Sequence, residues 1–336
     1  MAYRVFAGFD GFIDSIYRPL KKSGPEKIPF KTIAEFGNYI AGQANKGASI
    51  EMELLQRRMG GNMPNFVRAA SALGAECFSV GMLSDHTGSM DPVFASLPGT
   101  KYSWTGAGQA SALEFDDGKI FLAQGCDCAG DPWEKIVEKT GAALECMIRG
   151  ADLIALVNWS ELTFADSLWR SFYRYCVDIL KPEENKFLII DFCDMGRKSG
   201  GEIKNILNLT GEFSAFRRTI VSLNYNEALE AGAALGFQAE KDAAAGPDAL
   251  AAVIRKAVPV NEVVIHTRTE ALSLSDEGCF RVPVRIVEKP RISTGSGDTF
   301  NAAYGLASVQ GLGIPRRLDY ALSAARHYVS DQRFFR

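Results

Sequence analysis

The sequence predicts a Rossmann-like, doubly wound α/β fold, with a mainly parallel sheet, helices on both faces and a small β-lid. Two observations predict the sheet. Short apolar runs recur along the chain, and longer helix-like stretches separate them. Strands that are nearly continuous in apolar residues are buried on both faces, and their alternation with helices argues for parallel pairing. A third observation predicts the lid: two stretches break the βα rhythm.

Taken in order, the runs are YRVFAGF at the N-terminus, ECFSVGML at 76–83, ADLIALVNW at 151–159, KFLIIDF at 186–192, TIVSLN at 219–224 and NEVVIHT at 261–267. Helix-like segments lie between them, at 132–150 and around 164–180. Residues 99–124 contain SALEFDDGKIFLAQ, two alternating strands about an Asp-Asp-Gly turn, which is a hairpin pattern. Residues 15–58 hold a Lys/Pro/Gly-rich stretch, RPLKKSGPEKIPFKT, read as a loop, and then a helix, TIAEFGNYIAGQ. The expectation is one domain over 1–336, with lid excursions at about 15–58 and 99–124.

Composition excludes several function classes. Apolar residues make up 47% and charged residues 23% of the 336, which is ordinary for a soluble globular protein. Lys and Arg total 37 and Asp and Glu 40, a net charge of -3 that offers nothing to nucleic acid or an anionic membrane. No apolar run is long enough to span a bilayer, and MAYRVFAGFDGF lacks the pattern of a signal peptide, so a cytoplasmic location is expected. Seven scattered cysteines fit reduced thiols, and the close pair Cys126 and Cys128 has no second pair to complete a zinc site. Three histidines make a histidine metal centre a poor expectation; a required metal would be Mg²⁺ arriving with phosphate.

Four constellations carry chemistry. In RISTGSGDTFNAAYG, Gly295 and Gly297 can bring their amides close to a ligand, and a helix from about Asp298 turns its positive end toward an anion. Alone, the turn also reads as a simple helix start with Ser296 or Asp298 as N-cap. A dinucleotide fingerprint fits less well, because Phe300 stands where the third glycine belongs. In LNYNEALEAG, Asn224 and Glu227 resemble a capping box, yet they sit at a strand-to-helix turn on the ligand-binding edge of the sheet. From there Glu227 could order the water shell of Mg²⁺. Gly60 and Gly61 precede a helix with Pro64 in its first turn, where they allow close backbone approach and leave Asn65 to meet a hydroxyl. In GFDGFID, Asp10 and Asp14 follow the first strand, and read alone they suggest an Asx-turn.

The order of these motifs resembles the ribokinase/PfkB family of carbohydrate kinases over nearly the whole chain. VGMLSDHTG at 80–88 and the Asp-Asp-Gly-Lys hairpin add to the likeness. The resemblance implies a ribokinase-like core, a β-lid that often mediates homodimers, and ATP-dependent phosphorylation of a hydroxymethyl group on a sugar or sugar acid. Carried over residue by residue, it makes Asp298 the catalytic base, ionised at neutral pH as an ordinary Asp of pKa ~3.9. Gly295, Ser296 and Gly297 become the anion hole for the transferred phosphoryl group. Asn224 and Glu227 arrange Mg²⁺ and phosphate, Thr267 and Thr269 contact ATP, and Asp14, Gly60, Gly61 and Asn65 bind the sugar. A nucleoside kinase, or a binding protein that keeps the fold without the chemistry, shares the same motifs.

Two departures from the family pattern matter. Ile292 replaces the acidic residue that helps bind an activating monovalent cation in many members, and the 15–58 excursion is longer than the pattern calls for. The segment DFCDMGR at 191–197 resembles a mid-chain Asp-rich strand end, with unusual spacing to Arg197. Without a carboxylate at 292, activity should not depend on K⁺; equal rates with and without K⁺ check this, and a K⁺ requirement would refute it.

Overall fold

Parity along the strands sets the architecture. The computed structural model describes residues 2–23, 26–123, 128, 130–237, 246–292 and 294–331. Of the close cysteine pair, Cys126 lies outside the described residues, as do Gln124 and Ser293.

The first half of the chain forms β1 (Arg4–Gly8), β2 (Phe12–Ser23), β3 (Glu26–Pro29), α1 (Ile33–Ala41), β4 (Glu51–Gly60), α2 (Asn62–Ala72) and β5 (Glu76–Ser84). Next come β6 (Thr100–Gly106), β7 (Gly108–Phe115), β8 (Gly118–Ala123), α3 (Pro132–Thr140), α4 (Ala143–Gly150) and β9 (Leu153–Val157). The second half adds α5 (Ala165–Ile179), β10 (Glu183–Asp191), α6 (Gly200–Glu212), β11 (Arg217–Asn224) and α7 (Tyr225–Ala234). It closes with α8 (Pro247–Ala257), β12 (Glu262–His266), β13 (Glu270–Ser275), β14 (Gly278–Pro283), α9 (Ser296–Val309) and α10 (Ile314–Asp331).

Nine strands make the central sheet, in the order β14-β13-β12-β11-β10-β9-β1-β5-β6. From β12 to β6 every pairing is parallel, and β13 and β14 add an antiparallel edge. Alternate strand residues face opposite cores. Leu153, Ala155 and Val157 pack with α2, α9 and α10, whereas Ile154 and Leu156 pack with the apolar residues of α3 to α8. The sheet is therefore covered on both faces, as expected. The chain passes from β1 to β5 on one side and later returns to place β9 on the other, so the winding reverses between β1 and β9. Ligands of open α/β sheets collect outside the strand C-termini at such a reversal.

The lid is a second sheet in which β2 pairs with β4 along one edge and with β7 and β3 along the other, and β8 flanks β7. The Lys/Pro/Gly-rich stretch is thus not a loop. It forms the outer half of β2 and all of β3, with Pro19 and Pro29 inside the strands. Lys-rich strands with proline suit a sheet margin, where charge and a missing N–H do least harm. The helix expected after it is present as α1, capped by Thr32 Oγ1, which accepts from Glu35 N. Phe30, Phe36, Leu113 and Phe115 give the lid a small core of its own. The 99–124 excursion divides between the sheets, with β6 joining the central one.

Behind the sheet, Glu262 is buried and accepts hydrogen bonds from Ser273 Oγ at 2.5 Å and from the Tyr304 hydroxyl. Arg317 Nη1 reaches its other oxygen at 3.2 Å, so β12, β13, α9 and α10 meet on one carboxylate. Removing one partner of a buried ion pair strands the other charge. Arg317→Met should lower stability in urea denaturation by about 3–5 kcal/mol, with much of the loss recovered by adding Glu262→Gln. An unchanged midpoint in the single variant would contradict this reading.

Candidate active site

The parallel strands deliver their last residues to one rim: Asp10 just after β1, Asn158 after β9, Asp191 at the end of β10, Asn224 at the end of β11 and His266 at the end of β12. Two helices, α2 and α9, start at this rim, and the lid hangs over it through Phe12, Asp14 and Ala110. Between them lies a cleft of about 640 Å³, whose walls include Asn62, Asn65, Glu161, Glu227 and Asp298.

The start of α9 decides what the cleft can do. Gly295 is the N-cap residue in a left-handed conformation (φ 87°), and no side chain caps the helix. A β-carbon there would stand 2.9 Å from the Tyr328 hydroxyl and 3.4 Å from the Asn65 amide, so conformation and space both require glycine. The first helical bond joins Thr299 N to Gly295 O, which leaves the amides of Ser296, Gly297 and Asp298 without intrahelical acceptors. Neither Ser296 nor Asp298 acts as the N-cap, so that part of the sequence expectation is corrected. An uncapped helix start at a cleft is an anion site by default.

Asp298 is buried, and its Oδ1 has no hydrogen-bond partner. Burial pushes its pKa well above the usual carboxylate range; the charges of Asp191 and Asp10 push it further, while donation from Asn65 and Asn62 pulls it back. The expectation of an ordinary Asp, ionised without perturbation, is corrected on that ground: burial and the neighbouring carboxylates raise its affinity for a proton.

Asn224 and Glu227 do form a capping box. Asn224 Oδ1 accepts from Glu227 N at 3.0 Å, and Glu227 Oε2 accepts from Asn224 N at 2.8 Å. The cap and a ligand role coexist, because both residues also line the cleft. Burial and the Asp191 charge raise the Glu227 pKa. Burial also lifts Asp191 to about 6, although its oxygens accept from Cys193 N at 2.8 Å and Asn301 Nδ2 at 2.6 Å. Buried carboxyls that resist ionisation together suit a cation. Among the described residues no three His, Cys, Asp or Glu side chains converge as a metal site. Mg²⁺ fits here in its usual manner, with one carboxylate contributing and water and phosphate oxygens completing the shell.

Glycines 60 and 61 have steric reasons of their own. A β-carbon on Gly60 would meet Asp14 Oδ1 at 2.4 Å, and one on Gly61 would meet Asp10 Oδ2 at 2.7 Å. Gly61 lines the cleft, whereas Gly60 stands behind Asp14. Asp14 faces the cleft with Arg58 at 3.5 Å. Thr267 and Thr269 fall in an adjoining cavity of about 690 Å³ with Asn224, His266, Ser296 and Gly297. Beyond it lies a third space of about 450 Å³, with Ile286, Val287, Ile292, Leu322 and Val329 in its walls. Shared residues join the three into one trough, with the α9 amides at the junction.

The sequence reading left out Asn62, Glu161 and His266, and gave Asp191 and Arg197 no role. Asp191 and His266 end predicted strands, so position at a strand C-terminus was the available signal. Burial lowers the His266 pKa to about 4, which keeps the ring neutral beside Gly297. Arg197 reaches the cleft with Glu161 at 3.7 Å.

Comparison with known proteins agrees with this geometry. The family model for prokaryotic ketohexokinase matches residues 2–333. A ketohexokinase from Haloferax volcanii is 25% identical over 97% of this chain and 86% of its own length. Among solved structures, phosphofructokinase-2 from Escherichia coli in complex with fructose-6-phosphate superposes with a TM-score of 0.66, at 15% identity over 98% of this chain and 94% of that one. A ribokinase from Thermotoga maritima gives 0.65, at 14% identity over 99% and 95%. Arabidopsis thaliana ribokinase, complexed with ribose and ATP, gives 0.62, at 16% identity over 98% and 93%. The central sheet and its lid are thus the ribokinase fold, and the chain belongs to the prokaryotic ketohexokinase family of carbohydrate kinases.

Proposed function

We propose that the protein transfers the γ-phosphoryl group of ATP to a hydroxymethyl group of a neutral ketohexose, with Asp298 as base. One observation carries this reading: a buried carboxyl with an oxygen unpartnered among the described residues shares the first turn of α9 with three amides that lack intrahelical acceptors, where the lid-covered cleft meets the adjoining cavity. Asp298 takes the hydroxyl proton while the sugar oxygen attacks phosphorus and the bond to the β-phosphate oxygen breaks, releasing ADP. The amides of Ser296 and Gly297 face the charge on the phosphoryl oxygens, joined by that of Asp298, while Gly295, expected as the third donor, serves as the left-handed N-cap that orients them. Asn224 and Glu227 would hold bound Mg²⁺ through water, and the ion would neutralise phosphate charge. Thr267 and Thr269 contact the nucleotide, whose base fits the apolar far end of the trough.

Charge at the sugar end favours a neutral acceptor. Asp14, Glu161, Asp191 and Asp298 all face it, and its cations are engaged, Arg197 with Glu161 and Arg58 with Asp14. A sugar acid or a sugar phosphate would bring a further anion among these carboxylates. The ketohexokinase family match points the same way and sets the nucleoside reading aside.

Asp298→Asn removes the base and keeps the volume. It should retain the fold and ATP binding while turnover with D-fructose falls roughly 10²–10⁴-fold, measured as ADP release from Mg-ATP. Full activity in this variant would remove the mechanism.

The pH dependence has a definite sign. The base must be unprotonated, and its pKa is raised, so activity is present above that pKa and lost as pH falls through it. The acid limb of kcat/KM for the sugar should therefore lie above the ordinary carboxylate range. Asp191→Asn, which deletes a repelling charge, should move that limb to lower pH; an upward shift or none would contradict the assignment.

A further inference from the structure

Asp10 touches none of the reacting positions, yet three donors hold it. It is fully buried, and its Oδ1 accepts from Met63 N at 2.7 Å. Its Oδ2 accepts from Asn62 N at 2.7 Å and from Asn158 Nδ2 at 2.8 Å. The helix it meets, α2, has Gly61 at its N-cap and no capping side chain of its own. Asp10 therefore supplies from the end of β1 the acceptor that α2 lacks. Gly61 is what lets the carboxylate approach so closely.

The residues fixed in this way face the reaction. Asn62 and Asn65, in the first turn of α2, line the sugar end of the cleft together with Asp298, where their amides oppose the rise in its pKa. On the other side, Asn158 holds a left-handed conformation (φ 60°) just after β9, and its amide also approaches Glu161 Oε2 at 3.4 Å. β1 and β9 are the strands between which the winding of the sheet reverses, so the Asp10–Asn158 bond spans the crevice where the site opens. For capping alone, a neutral Ser or Asn would serve nearly as well as Asp. Burying a carboxylate is costly, and a position that needed only a cap would not need the charge.

We propose that Asp10 is a positioning residue for the transfer step, clamping the start of α2 to the end of β9 so that Asn62 and Asn65 hold Asp298 and the acceptor sugar in register. This rests on the reading of Asp298 as base and extends it to a residue outside the reacting set. Small displacements of reacting groups are expensive: a shift of about 1 Å can cost on the order of 100-fold in rate.

Two variants test it. Asp10→Asn keeps the shape and the bond from Met63 N but turns an amide donor toward Asn62 N–H. Asn158→Gly removes the third donor at a position where glycine accepts the positive φ without strain. Each is compared with wild type for kcat and KM with D-fructose, KM for Mg-ATP, and Tm. The expected result is a fall in kcat/KM for fructose of about 100-fold for Asp10→Asn and about tenfold for Asn158→Gly, with KM for Mg-ATP unchanged. A purely structural role would lower Tm and leave the kinetics of the folded protein unaltered, and that result overturns the proposal. Should Asp10→Asn fail to fold, Asn158→Gly decides by the same criterion. Wild type without turnover on ketohexoses would remove the proposed function and this inference together, whereas active wild type with unaffected variants removes this inference alone.

Discussion

The structure depends on keeping the first turn of α9 uncapped and fixed, with Asp298 buried in it. Three amides there have no helical acceptor, and the carboxyl in the same turn lacks a full set of donors. Such a start gives the helix little stability of its own, so the anchorage has to come from further along. One turn after Asp298, Asn301 donates to Asp191 at 2.6 Å and accepts from Ser222 Oγ at 2.6 Å, which ties the helix to β10 and β11. Tyr304 then joins the Glu262 carboxylate behind the sheet. Gly305 lies against Leu153, where a β-carbon would come within 2.6 Å. Apolar burial runs through the same stretch, from Phe300 to Ala307. The end that meets phosphate can stay unsatisfied because the rest of α9 is held by a core too dense to yield.

Electrostatics follows from that geometry. The strand ends bring Asp10 and Asp191 close enough to raise the Asp298 pKa, and Asp191 raises Glu227 in turn. This repulsion among buried carboxylates is a standing cost of the fold. A ligand that carries Mg²⁺ lowers it, so part of the nucleotide's affinity would come from relief of strain already in the protein. Under the proposed function, the charges that would discourage a second anion at the sugar end also raise the basicity of Asp298, so specificity and catalysis would draw on one source.

Much of this was legible in the sequence where the signal was local. Apolar runs marked six strands of the central sheet, and GSGD, N-x-x-E and GG-x-x-x-N marked turns that now line one trough, with Gly60 just behind its wall. What escaped had mostly non-local causes. Residues 18–32 read as a loop because lysine and proline dominate, yet Arg18, Pro19 and Leu20 pair with the distant β4, and Leu20–Ser23 pair with β3. The antiparallel strands β13, mostly buried, and β14, alternately half-buried and exposed, are short and were not marked by an apolar run. Asp10 read as an Asx-turn because its donors lie 52, 53 and 148 residues away. Nothing in GFDGFID announces a bond to Asn158; that contact exists only once the sheet has placed β1 beside β9.

The division between core and lid explains why the chemistry could be read before the sugar. Asp298, Asn224 and Glu227 belong to elements of the central sheet, where spacing within one turn fixes geometry and leaves a motif. Phe12, Asp14 and Ala110 reach the cleft from the lid, on a sheet with its own small core of Phe30, Phe36, Leu113 and Phe115. Their position over Asp298 depends on how β2 pairs with β4 and β7, and not on any short pattern. The outer part of the lid has a core separate from those of the central sheet, although Phe12, at the root of β2, packs into one of the latter. Under the proposed function, contacts to the acceptor come from the lid and from the start of α2, whereas the transfer machinery sits on α9 and β11.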